Sequence, residues 1–223
     1  MRSLLPAAPG LALALAGPAV VAFASSRAAS AEHAVVVHVL SLASIMVIVL
    51  VVFASAIHVE GIALRQLGFD RASWSSIPVG LALAFFFVTV FGPFAYWMVV
   101  KLQIGTFGHG LSKLAKLPTW YLVLAIVIVA TSEELLYRAY AIESLAAITG
   151  SYRFAGTLSL LAFGMAHVPL WGWGPALTTF VSGAIATLFY IWRRDIVALI
   201  VSHIVTDMCG IVVAPYLATQ ASG

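Results

Sequence analysis

Three pairs of side chains, each spaced four residues apart, lie in stretches that are otherwise apolar: Glu134–Arg138, Phe163–His167 and His203–Asp207. On an α-helix this spacing places both members of a pair on one face, one turn apart. Ionisable side chains are costly inside a bilayer and usually mark a functional site there. Carboxylates, imidazoles and an arginine in such positions predict a catalytic centre within the membrane.

The first motif offers two carboxylates. Glu134 precedes Arg138 by four residues, which is the favourable order for a helical ion pair. Glu133 lies about 100° around the helix from Glu134 and has no local partner. A carboxylate shielded from water can both accept and return a proton, so Glu133 is the candidate general base. The alternative is that both glutamates form ion pairs that only pack helices together.

The two histidines have a structural and a chemical interpretation. His167 closes the run 163–167, in which small residues at 164 and 166 allow another helix to approach closely. Asp207, one turn after His203, can orient that imidazole and fix its tautomer. Alternatively, His167 is a hydrogen-bonded structural residue, and His203 and Asp207 form a polar pair that joins helices.

Two mechanisms suit these side chains. In the first, Glu133 and His167 activate a water for attack on a peptide carbonyl, while His203 and Asp207 stabilise the oxyanion or the leaving group. In the second, His167, His203 and Glu133 hold a divalent metal such as zinc, which acidifies its bound water. The sequence has no His-Glu-x-x-His motif, so the usual helical signal of a zinc site is absent. It also has no Gly-x-Ser-x-Gly motif, the elbow that carries a serine nucleophile.

A helix bundle in the membrane must position these groups. Of the 223 residues, 63% are hydrophobic and only 9% are charged, too little charge for the surface of a soluble domain. A spanning helix needs about 20 mostly apolar residues. The prediction is an all-α, polytopic bundle of about seven transmembrane helices, in one domain over 1–223. The predicted segments are 4–24, 34–58, 78–100, 119–142, 154–170, 176–192 and 196–217.

The segments between and before these helices carry further expectations. Residues 1–33 form the first helix, with a cleavable signal peptide as the alternative. The connection 59–77 mixes charged and apolar positions, as an interfacial helix would. The linker 168–175 contains Pro169, Pro175, Trp171 and Trp173, and is expected to interrupt the chain in the membrane interface. Residues 119–217 are expected to form the catalytic core.

Loop charges predict an orientation. With the N-terminus inside, six Lys and Arg residues lie on the inner side against four on the outer side, which favours that orientation. The three motifs then fall roughly 12–20 Å from the inner connections, at 1.5 Å per helical residue. A single buried site explains this agreement. The inner residues are Arg2, Arg65, Arg71, Arg153, Arg193 and Arg194, and the outer ones are Arg27, Lys101, Lys113 and Lys116.

Composition also limits the kinds of binding partner that we expect. The net charge of +3 is spread over short loops, and no basic stripe with interleaved aromatics is present, so nucleic acid is not an expected partner. Cys209 is the single cysteine, which excludes an intramolecular disulfide. The expected partners are the lipid bilayer and a peptide or membrane-protein substrate. The expected location is the plasma membrane of a bacterium, as a multi-pass protein.

Taken together, Glu-Glu-x-x-x-Arg at 133–138, Phe-x-x-x-His at 163–167 and His-x-x-x-Asp at 203–207 resemble the CPBP family. This is the CAAX-protease and bacteriocin-processing group of intramembrane endopeptidases, also called the Abi family. The order and intervals of the motifs match over about 119–215. A weaker likeness extends back to about 64, because the stretch 67–74 is similar to the interfacial segment of the family.

The resemblance implies a helical bundle around a conical cavity that is open to the cytoplasm. It implies that Glu133 activates water with His167, supported by the last motif. Relatives are described as metalloproteases, with a metal-free glutamate mechanism as the competing view. Eukaryotic relatives remove the last three residues of prenylated proteins, and bacterial relatives are linked to bacteriocin maturation or self-immunity. Many relatives have asparagine at the position of Asp207, and an ionised aspartate cannot donate a hydrogen bond.

Two other functions stay compatible with the sequence. One is a non-catalytic immunity or scaffold protein that keeps the fold. The other is a proton-coupled transporter, because buried carboxylates and histidines also build proton relays. The clustering of the charged groups at one depth favours a single site over a path across the membrane.

Overall fold

The computed structural model describes residues 4–28 and 34–221. These residues form eight helices and no strand, and seven of the helices are long and apolar enough to cross a membrane. In lipid a helix satisfies its backbone polar groups internally, which is why the apolar runs adopt it. The predicted all-α, polytopic bundle is therefore confirmed, and the protein is an integral membrane protein.

The helices are numbered here in chain order. A 3-10 turn, Leu64–Leu67, occupies the connection between α2 and α3 where a longer interfacial helix was expected. Leu67 is buried in the core, and the Gly68 carbonyl accepts a hydrogen bond from the Ile196 amide at 3.3 Å. The helices are α1 Leu4–Ala28, α2 Ala34–His58, α3 Ser76–Leu102, α4 Gly108–Leu114, α5 Thr119–Thr149, α6 Tyr152–Trp171, α7 Trp173–Arg193 and α8 196–221.

Helix α5 is longer than the sequence indicated. The expected end was residue 142, since Glu143 follows it, but the helix continues to Thr149 and ends at Gly150, whose φ is 72°. Glu143 remains inside the bundle because two phenols donate to it, from Tyr152 at 2.8 Å and from Tyr190 at 3.0 Å. Charge alone therefore did not mark the end of this helix.

The linker expected over 168–175 is a single residue. Helix α6 continues through Pro169 to Trp171, and Gly172, with φ 83°, joins it to α7. A proline removes one backbone hydrogen bond, which a long packed helix tolerates in lipid. Pro175 lies in the first turn of α7, where its missing N–H is not needed. The predicted interruption lies at Gly172, and only the expected length of the linker was wrong.

Two buried acidic residues close one end of the bundle. Glu143, besides its two phenols, pairs with Arg194. Asp195 accepts from Ser76 at 2.9 Å and from Nε of Arg193 at 3.2 Å, and it caps α8. These contacts tie together the ends of α5 and α7 and the beginnings of α3, α6 and α8. The connections 59–75, 150–151 and 194–195 all lie at this closed end.

Helix α1 is part of the core. Its small and apolar side chains Ala7, Leu11 and Ala14 are buried, and α1 packs against α2, α5 and α6. The phenol of Tyr140 on α5 donates to Glu60 at 2.6 Å beside this contact. Loss of α1 would expose that surface of α5 and α6.

Candidate active site

Glu133 lies between the two histidines named by the sequence. Its Oε1 is 3.8 Å from Nε2 of His167, and its Oε2 is 3.8 Å from Nε2 of His203. The Glu133 side chain keeps 14% exposure. Each gap is too long for a direct hydrogen bond, but a water placed off the line between the atoms can reach both at roughly 2.8 Å. The three groups thus form a water-holding cluster.

The backbone fixes the tautomer of His167. Its Nδ1 lies 2.8 Å from the carbonyl oxygen of Phe163, and a carbonyl can only accept, so Nδ1–H is the donor. In the neutral ring, Nε2 then carries the lone pair that faces Glu133. The Phe163–His167 spacing therefore sets the chemistry of the ring as well as its packing.

Glu134 holds His203, a contact that the sequence analysis did not anticipate. Nδ1 of His203 donates to Oε1 of Glu134 at 2.9 Å. Asp207, which was expected to orient this imidazole, lies at the other nitrogen, with Oδ2 3.6 Å from Nε2. The orienting carboxylate is thus Glu134, in the arrangement by which a carboxylate sets a histidine tautomer. Asp207 can act on a substrate only near, or through, His203.

The Glu134–Arg138 pair forms the buried support of the site. Nη1 of Arg138 is 3.3 Å from Oε1 of Glu134, and the side chains are 1% and 3% exposed, respectively. The guanidinium also lies 4.1 Å above the ring centroid of Phe163. That ring packs against His167, with centroids 4.6 Å apart. One aromatic side chain therefore links the arginine of α5 to the histidine of α6.

Small residues let the helices approach closely enough for these contacts. A Cβ at Gly183 of α7 would lie 3.0 Å from the ring of Phe163, and a Cβ at Gly164 would overlap the ring of Phe180. Glycine at both positions therefore allows α6 and α7 to pack closely beside the site, as small residues do in membrane bundles.

The site opens into a cavity of about 550 Å³, a volume typical of ligand pockets. Its wall contains His167, His203, Glu134 and Asp207. Glu133 is not one of the wall residues, and its carboxylate lies 3.8 Å from Nε2 of both histidines. The rest of the wall is mainly apolar. The described residues contain three π-helical stretches, and each contributes to this wall: Phe87–Phe91 in α3, Glu134–Ile142 in α5 and Met208–Val213 in α8. Such stretches are frequent at functional sites.

The aromatic wall from α3 was not found from the sequence. Phe87 and Phe91 line the cavity, yet the segment around them reads only as a spanning helix. Their position follows from the packing of α3, whose first half packs on α8 while its second half contacts α7. No polar residue or spacing in the sequence signals this arrangement.

The mouth of the cavity lies at the end of the bundle opposite the closed end. Thr106, Phe107 and Leu111 line it together with Trp171, and Trp171 meets Phe107 edge to face at 5.3 Å. Trp171, which was expected in the membrane interface, forms part of this wall. An N-terminus inside would place the mouth outside, whereas the family resemblance implies a mouth toward the cytoplasm. The two expectations are incompatible in this fold.

The donor types suit a divalent metal only in part. Nε2 of His167, Nε2 of His203 and the carboxylate of Glu133 converge, and Nδ1 of each ring is engaged, as in zinc sites. However, no three His, Cys, Asp or Glu residues in 4–28 and 34–221 are grouped so that they could hold one ion. As placed, these side chains do not form a ligand set.

Comparison with known proteins gives one match. The family model described as type II CAAX prenyl endopeptidase Rce1-like matches residues 115–209, a range that contains every predicted site residue. No curated protein and no solved structure matches the chain. The match supports a CAAX-type intramembrane protease in general terms. The resemblance predicted from the three motifs is thereby confirmed over residues 115–209, which are similar to the Rce1-like family.

Proposed function

We propose that the protein is an intramembrane endopeptidase that hydrolyses a peptide bond of a membrane-associated or peptide substrate with a water activated by Glu133. One observation carries the proposal: the Glu133 carboxylate lies 3.8 Å from Nε2 of both His167 and His203, beside a mainly apolar cavity. A water held there has a carboxylate base on one side and an imidazole on the other.

The reaction needs two proton transfers, one new O–C bond and the breaking of one C–N bond. Glu133 accepts a proton from the water while the water oxygen bonds to the carbonyl carbon of the substrate. The carbonyl oxygen becomes an oxyanion. His203 can donate to it through Nε2–H when its ring is the imidazolium, because Nδ1–H is held by Glu134. The C–N bond then breaks, and the proton held by Glu133 passes to the amine that leaves. The products are a carboxylic acid and an amine, and Glu133 is ionised again.

His167 assists the base. Because Nδ1–H is committed to the Phe163 carbonyl, Nε2 can accept a hydrogen bond from the same water and orient it toward the substrate. Asp207 is assigned a role through His203, since its carboxylate lies 3.6 Å from Nε2 of that ring.

The proposal is tested with purified protein and an internally quenched peptide that ends in a farnesylated C-a-a-X sequence, beside the same peptide without the lipid. We expect Glu133→Gln to lower kcat at least about 100-fold, the lower range for loss of a general base. Glu60→Gln is the matched control, because Glu60 is bound by Tyr140 far from the cavity.

Several outcomes distinguish the alternatives. Full activity of folded Glu133→Gln would overturn the assigned chemistry. An active wild type that loses activity with a chelator and recovers with zinc would make the metal a part of the site. If neither peptide is cleaved, and Glu133→Gln keeps the protective or binding phenotype of the wild type in cells, the alternative of a non-catalytic immunity or scaffold protein replaces the peptidase.

A further inference from the structure

Two hydroxyl groups on α8 lie at the cavity wall without a partner. Ser202 and Thr206 both line the cavity, and Ser202 is only 2% exposed. Neither hydroxyl has a hydrogen-bond partner among the residues that the structure describes. A buried hydroxyl without a partner is destabilising, which points to a partner that the chain does not supply.

Several other helical hydroxyls in this protein are satisfied within their own helix. Thr89 donates to the carbonyl four residues earlier at 2.7 Å. Across the cavity from α8, Thr178 and Ser182 donate to carbonyls three residues earlier, at 2.7 and 3.1 Å. This local bond is the usual arrangement for serine and threonine in a helix. Ser202 and Thr206 lack it, and they neighbour His203 and line the same cavity.

Their spacing suits one kind of ligand. Residues four apart on a helix are separated by roughly 6 Å along the axis, at 1.5 Å per residue. Along an extended peptide, groups on one edge repeat every two residues, or about 6.6 Å. A hydroxyl can donate to a carbonyl or accept from an N–H. Two hydroxyls at this spacing can therefore bind successive backbone groups on one edge of an extended chain.

We propose that Ser202 and Thr206 bind the backbone of an extended peptide substrate and align its scissile carbonyl with Glu133 and His203. The inference rests on the peptidase function proposed above and makes both hydroxyls substrate-positioning groups. Because they bind backbone groups, they select an extended conformation and not a particular side chain. The neighbouring position of His203 on α8 places the donor for the oxyanion beside the aligned chain.

The test removes each hydroxyl at nearly constant volume, with Ser202→Ala and Thr206→Val, and follows cleavage of the farnesylated quenched peptide. Loss of one neutral hydrogen bond predicts a rise in KM of about 2- to 12-fold for each variant, with a smaller change in kcat. Ser202→Thr and Thr206→Ser, which keep the hydroxyl, should retain the wild-type KM. Thr178→Val is the matched control, because that hydroxyl is satisfied by its own helix.

A backbone-modified substrate separates a binding role from a structural one. Replacing single amide groups of the peptide by esters should raise KM for wild type, and should have no further effect in the variant that has lost the matching hydroxyl. An equal loss in wild type and both variants would overturn the proposal. So would an unchanged KM for both variants in an enzyme that cleaves the peptide.

Binding distinguishes failure of this inference from failure of the proposed function. The Kd of the same fluorescent peptide is measured in the Glu133→Gln background, with and without Thr206→Val. A weaker Kd on loss of the hydroxyl supports the inference even if the wild type cleaves nothing, which would overturn only the peptidase assignment. An unchanged Kd, or no binding at all, overturns the inference whatever the activity.

Discussion

Glu134 contacts two side chains, Arg138 and His203, and substitutions can separate the effects of the two contacts. The glutamate pairs with Arg138, at 3.3 Å, and accepts from His203, at 2.9 Å. Glu134→Gln keeps the volume and an acceptor oxygen but removes the charge. Arg138 would then be a buried cation without an anion, since its side chain is 1% exposed.

The cost of that change follows from the burial. Breaking a buried ion pair by removing one partner costs about 3–5 kcal/mol. For a chain of this length, roughly 2–4 °C per kcal/mol converts this to a fall in Tm of about 6–20 °C. Weaker orientation of His203 should lower kcat by about 10- to 100-fold.

Arg138→Met and the double variant, which combines Glu134→Gln with Arg138→Met, complete a double-mutant cycle. Arg138→Met leaves Glu134 bound to His203, so it should lower Tm while kcat stays within about 10-fold of wild type. In Glu134→Gln with Arg138→Met, no buried charge lacks its partner, so stability should return to within about 2 kcal/mol of wild type. Activity should stay as low as in Glu134→Gln, because His203 has still lost its carboxylate.

Thermal unfolding in detergent and peptide cleavage measure the two effects separately. A double variant whose Tm loss equals the sum of the single losses would refute the buried-pair argument. Recovery of activity in the double variant would refute the assignment of Glu134 as the orienting carboxylate, because it would tie activity to stability alone. Glu60→Gln again serves as the control for a glutamate remote from the cavity.

Two further predictions concern the membrane orientation and the packing of α3. In a background without the native cysteine, we expect Thr106→Cys to react with an impermeant maleimide only after permeabilisation of cells and Arg65→Cys to react in intact cells; the reverse pattern would place the cavity mouth outside. Gly80→Ala should lower the free energy of unfolding by about 1–3 kcal/mol, since a Cβ there would lie 2.6 Å from the Ala198 carbonyl oxygen. Gly210→Ala is the control and should leave the free energy of unfolding unchanged, because a Cβ there meets nothing within 4 Å. Equal stability of the two variants would contradict the close contact at Gly80.

The orientation prediction departs from the charge count, and the structure supplies the reason. Arg193 and Arg194 were counted as free loop charges on the inner side, but they pair with Asp195 and Glu143 at the closed end. Arginines that neutralise buried carboxylates are structural, and without them four basic residues remain on each side. The count then favours neither orientation, and the cytoplasm-open cavity implied by the family sets our expectation.

The sequence predicted the meeting of the three motifs but not how they contact one another. Spacing within a helix is encoded locally, so Glu134–Arg138 and the Phe163–His167 face followed from it. The bond from His203 to Glu134 joins residues that are 69 apart and depends on how α5 and α8 are rotated. A π-helical stretch begins at Glu134 and changes that rotation, and periodicity of apolar residues does not reveal it.

The same limit explains the errors at the helix ends. Pro169 and Glu143 both looked like boundaries because each disfavours an isolated helix in lipid. In the bundle, neighbouring groups compensate: the phenols of Tyr152 and Tyr190 donate to Glu143. Local sequence specifies what a residue needs, and only the packed structure shows whether a neighbour supplies it.

Unmet hydrogen-bonding capacity separates the two polar regions of this molecule. At the closed end, Glu143 and Asp195 each accept bonds from several donors. Among the described residues, six buried polar side-chain atoms have no hydrogen-bond partner, and four of them belong to cavity-lining residues: Glu134, Arg138, Ser202 and Thr206. Buried polar groups without partners destabilise the folded state, and where a native structure keeps them they often have a catalytic role or a bound ligand. Their concentration around one cavity is what a binding site for a polar substrate backbone requires, whereas the saturated carboxylates of the closed end need only hold the helices together.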